Sequence, residues 1–276
     1  MRGNGGRMQE WIKYAALFVL AVAAFGVAAI ALMGPQGAGE AGPVPSSTLE
    51  ATPTPSASVA PTSPAPAPTA AATTPQPGIA LPAEPVLLVM GDSYTAGVGA
   101  DQPDQGWAYL VAGQLGYPTN IDGVSGTGFA WGGGGQDELA GEYEVRLQEI
   151  AADPAFVPNV LILQGGQNDS RIPNLEEVTA ATAQTIEAAR RFWPGVQVVV
   201  LGPSAPQPLA EELRGVNSAV RAGAAAAGAP FIDATEAGWF TTANSPGFDA
   251  DGAHPNSAGH AYIAEKFLQS WAALIQ

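Results

Sequence analysis

Residues 34–83 form a low-complexity stretch of mainly Ala, Pro, Ser, Thr and Gly that holds 12 of the chain's 25 prolines, from Pro35 to Pro82. Such a composition buries too little apolar surface to fold, and proline at this density favours extended polyproline II conformation. We therefore predict a disordered linker with an upper reach on the order of 150 Å. One folded domain remains, residues 84–276, which excludes two full catalytic domains.

A run of twenty uncharged residues, Tyr14 to Met33, precedes the linker. A helix of this length spans the roughly 30 Å hydrocarbon core of a bilayer, and it is longer than the apolar region of a signal peptide. Basic residues flank only its N-terminal side, which places that side in the cytoplasm. We predict a cytoplasmic segment (1–13), a transmembrane signal anchor (14–33) and a single-pass protein of the cell membrane with residues 84–276 extracytoplasmic. Cleavage and secretion is the alternative.

The folded segment is strongly acidic, with 7 basic and 22 acidic residues and a net charge of −15. Binding to phosphate backbones needs clustered Lys and Arg, so nucleic acid is excluded as a partner. The absence of cysteine excludes thiol nucleophiles, thiolate metal sites and disulfides. No phosphate-binding loop, dinucleotide fingerprint or zinc-binding spacing is present, so we expect no cofactor and no metal.

Beyond the linker, short apolar runs alternate with helical stretches. Buried parallel strands are continuous apolar runs, and β-α alternation indicates a parallel sheet covered by helices on both faces. We therefore predict a three-layer α/β/α domain with about five parallel strands. The predicted strands are Val86–Met90, Asn120–Val124, Val160–Leu163, Val196–Leu201 and Phe231–Ile232, and the predicted helices are Trp107–Leu115, Tyr143–Ala151, Leu175–Phe192, Leu209–Ala227 and Ser257–Ile275.

Ser93 and His254 are the candidate nucleophile and base. Ser93 directly follows the first strand, where the sites of such sheets lie, and a serine hydroxyl needs an adjacent base at neutral pH. Asp251 lies three residues before His254, so one short loop can present the base and the carboxylate that orients it. For Asp251 the alternative is cation binding, because Asp249 and Asp251 are spaced as at the start of a calcium loop whose later ligands are missing. His260 lies in a helical pattern, where we expect packing or capping.

Acyl transfer also needs hydrogen-bond donors for a negatively charged tetrahedral oxygen. Ser93 and Gly126 supply backbone N–H groups, and glycine allows close approach because it has no Cβ. Asn168 supplies a neutral side-chain amide. Aromatic rings suit acyl chains and sugar rings alike, although they are also common in cores; the possible substrate-pocket residues are Tyr94, Phe129, Trp131 and Trp239.

These residues together resemble the SGNH, or GDSL, hydrolase superfamily. Its four blocks are matched in order by Gly91-Asp92-Ser93, by Gly126, by Asn168 in Gly-Gln-Asn-Asp, and by Asp251-x-x-His254. The resemblance covers residues 84–276 and implies a flavodoxin-like sheet of order 2-1-3-4-5 and ester hydrolysis without a cofactor. It implies the triad Ser93, His254 and Asp251, and an oxyanion hole of Ser93, Gly126 and Asn168. The chain departs from the family in a short, polar second strand. The α/β-hydrolase fold fits less well, because it requires glycine where Thr95 stands.

We therefore expect an extracytoplasmic serine esterase with a monomeric catalytic domain. A linker long enough to reach through a cell wall favours an acetylated glycan or a lipid-like ester as the substrate. Two alternatives stay open: an acyltransferase that passes the acyl group to a cell-wall sugar with the same residues, and a non-catalytic wall-binding module.

Overall fold

Five short strands pair side by side in the computed structural model, which describes residues 77–134 and 141–275. The strands are β1 (Leu87–Gly91), β2 (Thr119–Gly123), β3 (Val160–Gln164), β4 (Gln197–Leu201) and β5 (Phe231–Ile232). All neighbours are parallel, and the order across the sheet is β2-β1-β3-β4-β5. The predicted five-stranded parallel sheet and its order are confirmed.

Helices cover both faces of the sheet. They are α1 (Trp107–Leu115), α2 (Tyr143–Ala151), α3 (Leu175–Phe192), α4 (Leu209–Glu212), α5 (Arg214–Ala226) and α6 (Ser257–Leu274). Helix α1 packs against α6, whereas α2, α3 and α5 pack side by side. Because connections between parallel strands are right-handed, the reversal of direction at β1 places these two groups on opposite faces. The carboxyl ends of β1 and its neighbours therefore form the crevice where sites of such sheets lie.

Burial explains why the central strands are apolar and the first edge strand is not. Every residue of β1 and of β3 is buried, because helices cover both of their faces. By contrast, β2 lies at the edge of the sheet, and none of its residues is fully buried. A short polar sequence, Thr-Asn-Ile-Asp-Gly, is therefore sufficient there.

Most predicted helix bounds agree with the structure, and one does not. The first three predicted helices coincide with α1, α2 and α3, and side chains of Asn174 and Asn256 cap α3 and α6 by accepting backbone N–H groups. The prediction of one continuous helix over Leu209–Ala227 is wrong. Leu213 (φ −85°, ψ 0°) separates α4 from α5, and its side chain is buried in the core.

The folded domain begins earlier than the predicted boundary at residue 84. The Ile79 side chain is 2% exposed, and Ile79 forms a β-bridge with Ile275. The Ala80 N–H donates to the side chain of Gln197, the first residue of β4. Residues 79–83, assigned to the linker from sequence, thus extend along the domain at the amino ends of the strands.

The predicted transmembrane segment, Tyr14 to Met33, lies outside the described residues. Within residues 77–134 and 141–275, no helix is long and apolar enough to cross a membrane.

His260, on α6, joins three segments in the core. Its Nδ1 accepts the Trp107 N–H at 3.2 Å, and its Nε2 lies 3.0 Å from the Val98 carbonyl oxygen. These partners require a neutral ring with its proton on Nε2. The side chain is completely buried, as the expected packing role requires, and burial lowers the pKa of the imidazole.

We expect His260 to make folding sensitive to acid. The unfolded chain binds the proton more readily than the folded one, so the contribution of His260 to stability is present above pH 6.5 and is lost as the pH falls through the lowered pKa. Urea unfolding at several pH values between 5 and 8 measures this effect. As the pH falls from 8 to 5, the free energy of unfolding should decrease less in His260→Gln than in the unmodified protein. Equal pH slopes for the two proteins would contradict this assignment.

Candidate active site

The predicted catalytic residues lie at the carboxyl edge of the sheet. Ser93 lies two residues after β1, and its side chain is 7% exposed. The loop that carries His254 comes directly before α6 and crosses close to the loop after β1. The crossing needs glycine at Gly99, which has φ +94°, because a Cβ there would clash with the Pro255 carbonyl oxygen.

Ser93, His254 and Asp251 form a continuous hydrogen-bonded chain. The Ser93 Oγ lies 3.0 Å from His254 Nε2, and His254 Nδ1 lies 2.9 Å from Asp251 Oδ2. A carboxylate can only accept, so Nδ1 carries the proton and Nε2 presents its lone pair to the serine hydroxyl. This arrangement can remove the serine proton as the hydroxyl attacks a carbonyl carbon.

Asp251 is held in place by its own loop. Its Oδ1 accepts the N–H groups of Ala253 at 2.9 Å and His254 at 2.8 Å. The hydrogen bond from the His254 side chain, followed by these backbone bonds, lowers the pKa of Asp251 although 52% of the side chain is exposed. The carboxylate is therefore ionised and oriented before any substrate binds.

Three donors with unused hydrogen-bonding capacity follow the carboxyl ends of β1, β2 and β3. Within the part of the chain that the structure describes, the backbone N–H groups of Ser93 and Gly126 donate no hydrogen bond. Gly126 has φ +83°, a conformation that favours glycine. The Asn168 Nδ2 donates one hydrogen bond, to the Thr127 carbonyl oxygen at 3.0 Å, which leaves its second hydrogen unused. A negatively charged oxygen next to Ser93 is the group that such donors suit.

A known protein family matches most of the folded segment. The sequence model of the GDSL-like lipase/acylhydrolase family matches residues 89–262. The chain belongs to this family. A GDSL lipase of Mycobacterium tuberculosis is 30% identical over 195 residues, which cover 65% of this chain and 78% of the relative. The protein is therefore an SGNH-type ester hydrolase.

Solved structures of carbohydrate esterases share the fold of this GDSL-like hydrolase. A family two esterase of Corynascus thermopiles (Myceliophthora fergusii) has a TM-score of 0.55 at 19% identity, and the match covers 74% of this chain and 68% of the esterase chain. A family two esterase of Clostridium thermocellum has a TM-score of 0.52 at 20% identity, and the match covers 72% of this chain and 65% of that esterase chain. A carbohydrate acetylesterase family member of Sinorhizobium meliloti has a TM-score of 0.51 at 16% identity, and the match covers 69% of this chain and 99% of that chain.

Arg146, which the sequence analysis missed, connects the segments that carry the candidate site of this hydrolase. Its side chain is 6% exposed, and the guanidinium donates to Asp122 at the end of β2, to the Gly91 carbonyl oxygen at the end of β1, and to Thr127 Oγ1. These bonds join the strand before Ser93 to the loop that contains Gly126. The sequence marks Arg146 in one way only, because it is the first basic residue after Lys13.

Asp169 holds the rest of that loop and was also missed. It follows Asn168 directly, is completely buried, and accepts the N–H groups of Phe129, Ala130 and Trp131 at 2.7–3.1 Å. Burial raises the pKa of Asp169, and the three backbone bonds oppose the rise. The two residues of the Asn-Asp pair thus differ in role: Asn168 is the candidate oxyanion donor, and Asp169 fixes the loop from Phe129 to Trp131.

Asp92 is a buried ionisable residue that directly precedes Ser93 in the chain. Its side chain is completely buried, and burial raises the pKa of the carboxyl to about 7. The Tyr94 N–H donates to Asp92 Oδ1 at 2.9 Å and partly offsets this rise. Asp92 therefore titrates closer to neutral pH than an exposed aspartate does.

Two of the four predicted pocket residues are core residues. Tyr94 and Phe129 are each 1% exposed and cannot line an open pocket. The Tyr94 Oη donates to the Ala253 carbonyl oxygen at 2.7 Å, which ties the loop of His254 to the loop of Ser93. Phe129 packs against the ring of Tyr143, with centroids 4.8 Å apart. Both rings support the site from inside.

The two tryptophans lie in different places. Trp131 is half-buried beside Arg171, whose guanidinium carbon lies 5.9 Å from the ring centroid, close to Asn168. Trp239 lines a cavity of about 450 Å³ together with Ser270 and Leu274, near the end of α6. His254 precedes the start of α6, so roughly 20 Å of helix separates that cavity from the triad. Of the four predicted pocket residues, only Trp131 is both partly exposed and close to the candidate site.

Proposed function

We propose that this hydrolase is an extracytoplasmic serine esterase that cleaves acetylated glycan or lipid-like esters with Ser93, His254 and Asp251. The observation that carries the proposal is the chain of short contacts from the Ser93 Oγ through the His254 ring to Asp251. The unused donors at Ser93, Gly126 and Asn168 support it, since a carbonyl attacked by Ser93 would develop its negative charge beside them.

The reaction follows from the protonation states. His254 Nε2 takes the Ser93 proton as Oγ bonds to the ester carbonyl carbon, and the three donors stabilise the oxyanion. His254 then gives that proton to the leaving alcohol oxygen, which leaves an acyl group on Ser93. A water molecule, deprotonated by His254, attacks the acyl group, and the acid and free Ser93 are released.

The substrate class rests on location and on relatives. The uncharged run before the linker supports a membrane anchor, and the linker supports a site of action at a distance from the membrane. A lipase and several carbohydrate esterases are among the similar proteins, so both acyl chains and acetylated sugars are candidate substrates. The net charge of −15 opposes approach of a polyanionic substrate.

A fluorophosphonate probe combined with an ester panel tests the proposal. Mass spectrometry should locate one probe adduct per chain on Ser93, and the protein should hydrolyse p-nitrophenyl acetate, longer p-nitrophenyl esters or acetylated xylan and peptidoglycan fragments. An acceptor sugar that diverts most acyl groups from water would favour the acyltransferase. Glycan binding without labelling or turnover would indicate the non-catalytic module and overturn the proposal.

The Asn168 amide should contribute measurably to the rate. We expect Asn168→Ala to lower kcat about 100-fold with little change in KM, because one oxyanion donor is lost only in the transition state. Steady-state hydrolysis of p-nitrophenyl acetate measures this effect. Asn174→Ala is the matched control, since this asparagine caps α3 away from the site and its loss should leave kcat within two-fold. An unchanged kcat in Asn168→Ala would remove this residue from the oxyanion hole.

A further inference from the structure

Arg171 lies beside the candidate oxyanion hole but outside the triad and the three donors. It ends a short 3₁₀ turn, Asn168–Arg171, that follows β3. Its Nη1 donates to the Oδ1 of Asn168 at 2.8 Å, and the other end of the same amide donates to the Thr127 carbonyl oxygen at 3.0 Å. Both ends of the Asn168 amide are therefore held.

These two partners permit only one orientation of the amide. A guanidinium offers only donors and a carbonyl oxygen only accepts, so Oδ1 must face Arg171 and Nδ2 must face Thr127. A flip of the amide by 180° would place two donors together at Arg171 and two acceptors together at Thr127. Without Arg171, one of these two constraints is lost and the amide can turn its oxygen toward the site.

The charge of Arg171 acts in the same direction. A cation at Oδ1 polarises the amide and makes its N–H groups stronger donors, as in other charge-assisted chains. The guanidinium is also near the ring of Trp131, with 5.9 Å between its central carbon and the ring centroid. Arg171 is exposed, so solvent screens its long-range effect, and the direct hydrogen bond carries most of its influence.

We propose that Arg171 is a positioning residue that sets the orientation and donor strength of the Asn168 amide in the oxyanion hole. This inference rests on the proposed function, because it assumes that Asn168 stabilises the oxyanion of ester hydrolysis. It predicts that Arg171 affects kcat through Asn168 alone and leaves substrate binding nearly unchanged.

The decisive experiment is a double-mutant cycle on p-nitrophenyl acetate hydrolysis with Arg171→Ala, Asn168→Ala and the double variant. Arg171→Ala should lower kcat about 10-fold with KM within two-fold, the size expected for loss of one charge-assisted hydrogen bond at the surface. In the Asn168→Ala background, Arg171→Ala should cause no further fall beyond two-fold. Arg191→Ala is the matched control, an exposed arginine that pairs with Glu144 on α2 and should leave kcat unchanged.

Chemical rescue separates positioning from a general structural effect. Guanidinium chloride at about 10–50 mM, far below the molar concentrations that unfold proteins, should raise kcat of Arg171→Ala several-fold. NaCl at the same concentration should not raise it. The proposal is overturned if kcat of Arg171→Ala equals that of the unmodified protein, or if the 10-fold fall persists in the Asn168→Ala background. Hydrolysis by Ser93→Ala at the rate of the unmodified protein would instead refute the proposed function, whatever Arg171 does.

Discussion

Ser93→Ala is expected to lower kcat for ester hydrolysis by about 10⁵- to 10⁶-fold and to abolish labelling by fluorophosphonate. The substitution removes the atom that lies 3.0 Å from His254 Nε2 and leaves the base with no proton to accept. Residual hydrolysis should remain above the uncatalysed rate, because the oxyanion donors and the substrate-binding surface stay intact. Burst and steady-state measurements with p-nitrophenyl acetate, on protein freed of contaminating esterases, determine the fall.

Ser170→Ala is the matched control for this experiment. Ser170 lies on the turn that carries Asn168, and its Oγ donates to the Gln167 carbonyl oxygen at 2.7 Å. Ser170 is exposed and takes no part in the hydrogen-bonded chain from Ser93 to Asp251. The kcat of Ser170→Ala should therefore stay within three-fold of that of the unmodified protein. If Ser93→Ala retained the activity of the Ser170→Ala variant, the nucleophile would have to be a different residue.

Arg146→Met should lower the free energy of unfolding by about 3–5 kcal/mol, as expected when a buried guanidinium is removed and leaves its acceptors unsatisfied; the Arg146 side chain is 6% exposed and that of its partner Asp122 is 27% exposed. The guanidinium lies 2.8 Å from Asp122 Oδ2 and donates to the Gly91 and Asp122 carbonyl oxygens as well. Methionine has a similar length but no donor, so several buried acceptors and one carboxylate lose their partner at once. Urea unfolding monitored by tryptophan fluorescence measures the change.

Arg191→Met provides the comparison for Arg146→Met. Arg191 pairs with Glu144 at 3.0 Å, a similar distance, but 59% of its side chain is exposed against 6% for Arg146. Exposed pairs contribute about 0–1 kcal/mol, so this variant should unfold almost like the unmodified protein. Similar losses in the two variants would show that burial does not distinguish the two pairs.

Local pattern was sufficient to predict the sheet, most helices and the residues at the strand ends. Continuous apolar runs identified β1 and β3, because strands covered on both faces require them. Ser93, Gly126 and Asn168 then followed from their positions after successive strands, and His254 from its place before the last helix. The break at Leu213 was not predicted, because the sequence around it favours helix and the burial of its side chain is visible only in the structure.

The residues that sequence reasoning missed or misplaced are those whose role depends on burial. Arg146 and Asp169 are charged residues that a sequence pattern would place at the surface, and only the packed structure shows what they hold. Tyr94 and Phe129 stand next to motif residues, but a core and a substrate pocket favour the same aromatic rings. Adjacency along the chain therefore made Ser93 and Asn168 candidates but could not indicate the direction of the rings beside them.

The bridge between Ile79 and Ile275 has a practical consequence for handling the enzyme. Both residues lie at the amino ends of the strands, whereas Ser93, Gly126 and Asn168 follow the carboxyl ends. A purification tag, a biosensor surface or a fused carrier protein joined at either end of residues 77–275 would therefore lie at the pole opposite the candidate nucleophile. Immobilised enzyme should keep the edge that carries Ser93, Gly126 and Asn168 open to insoluble material.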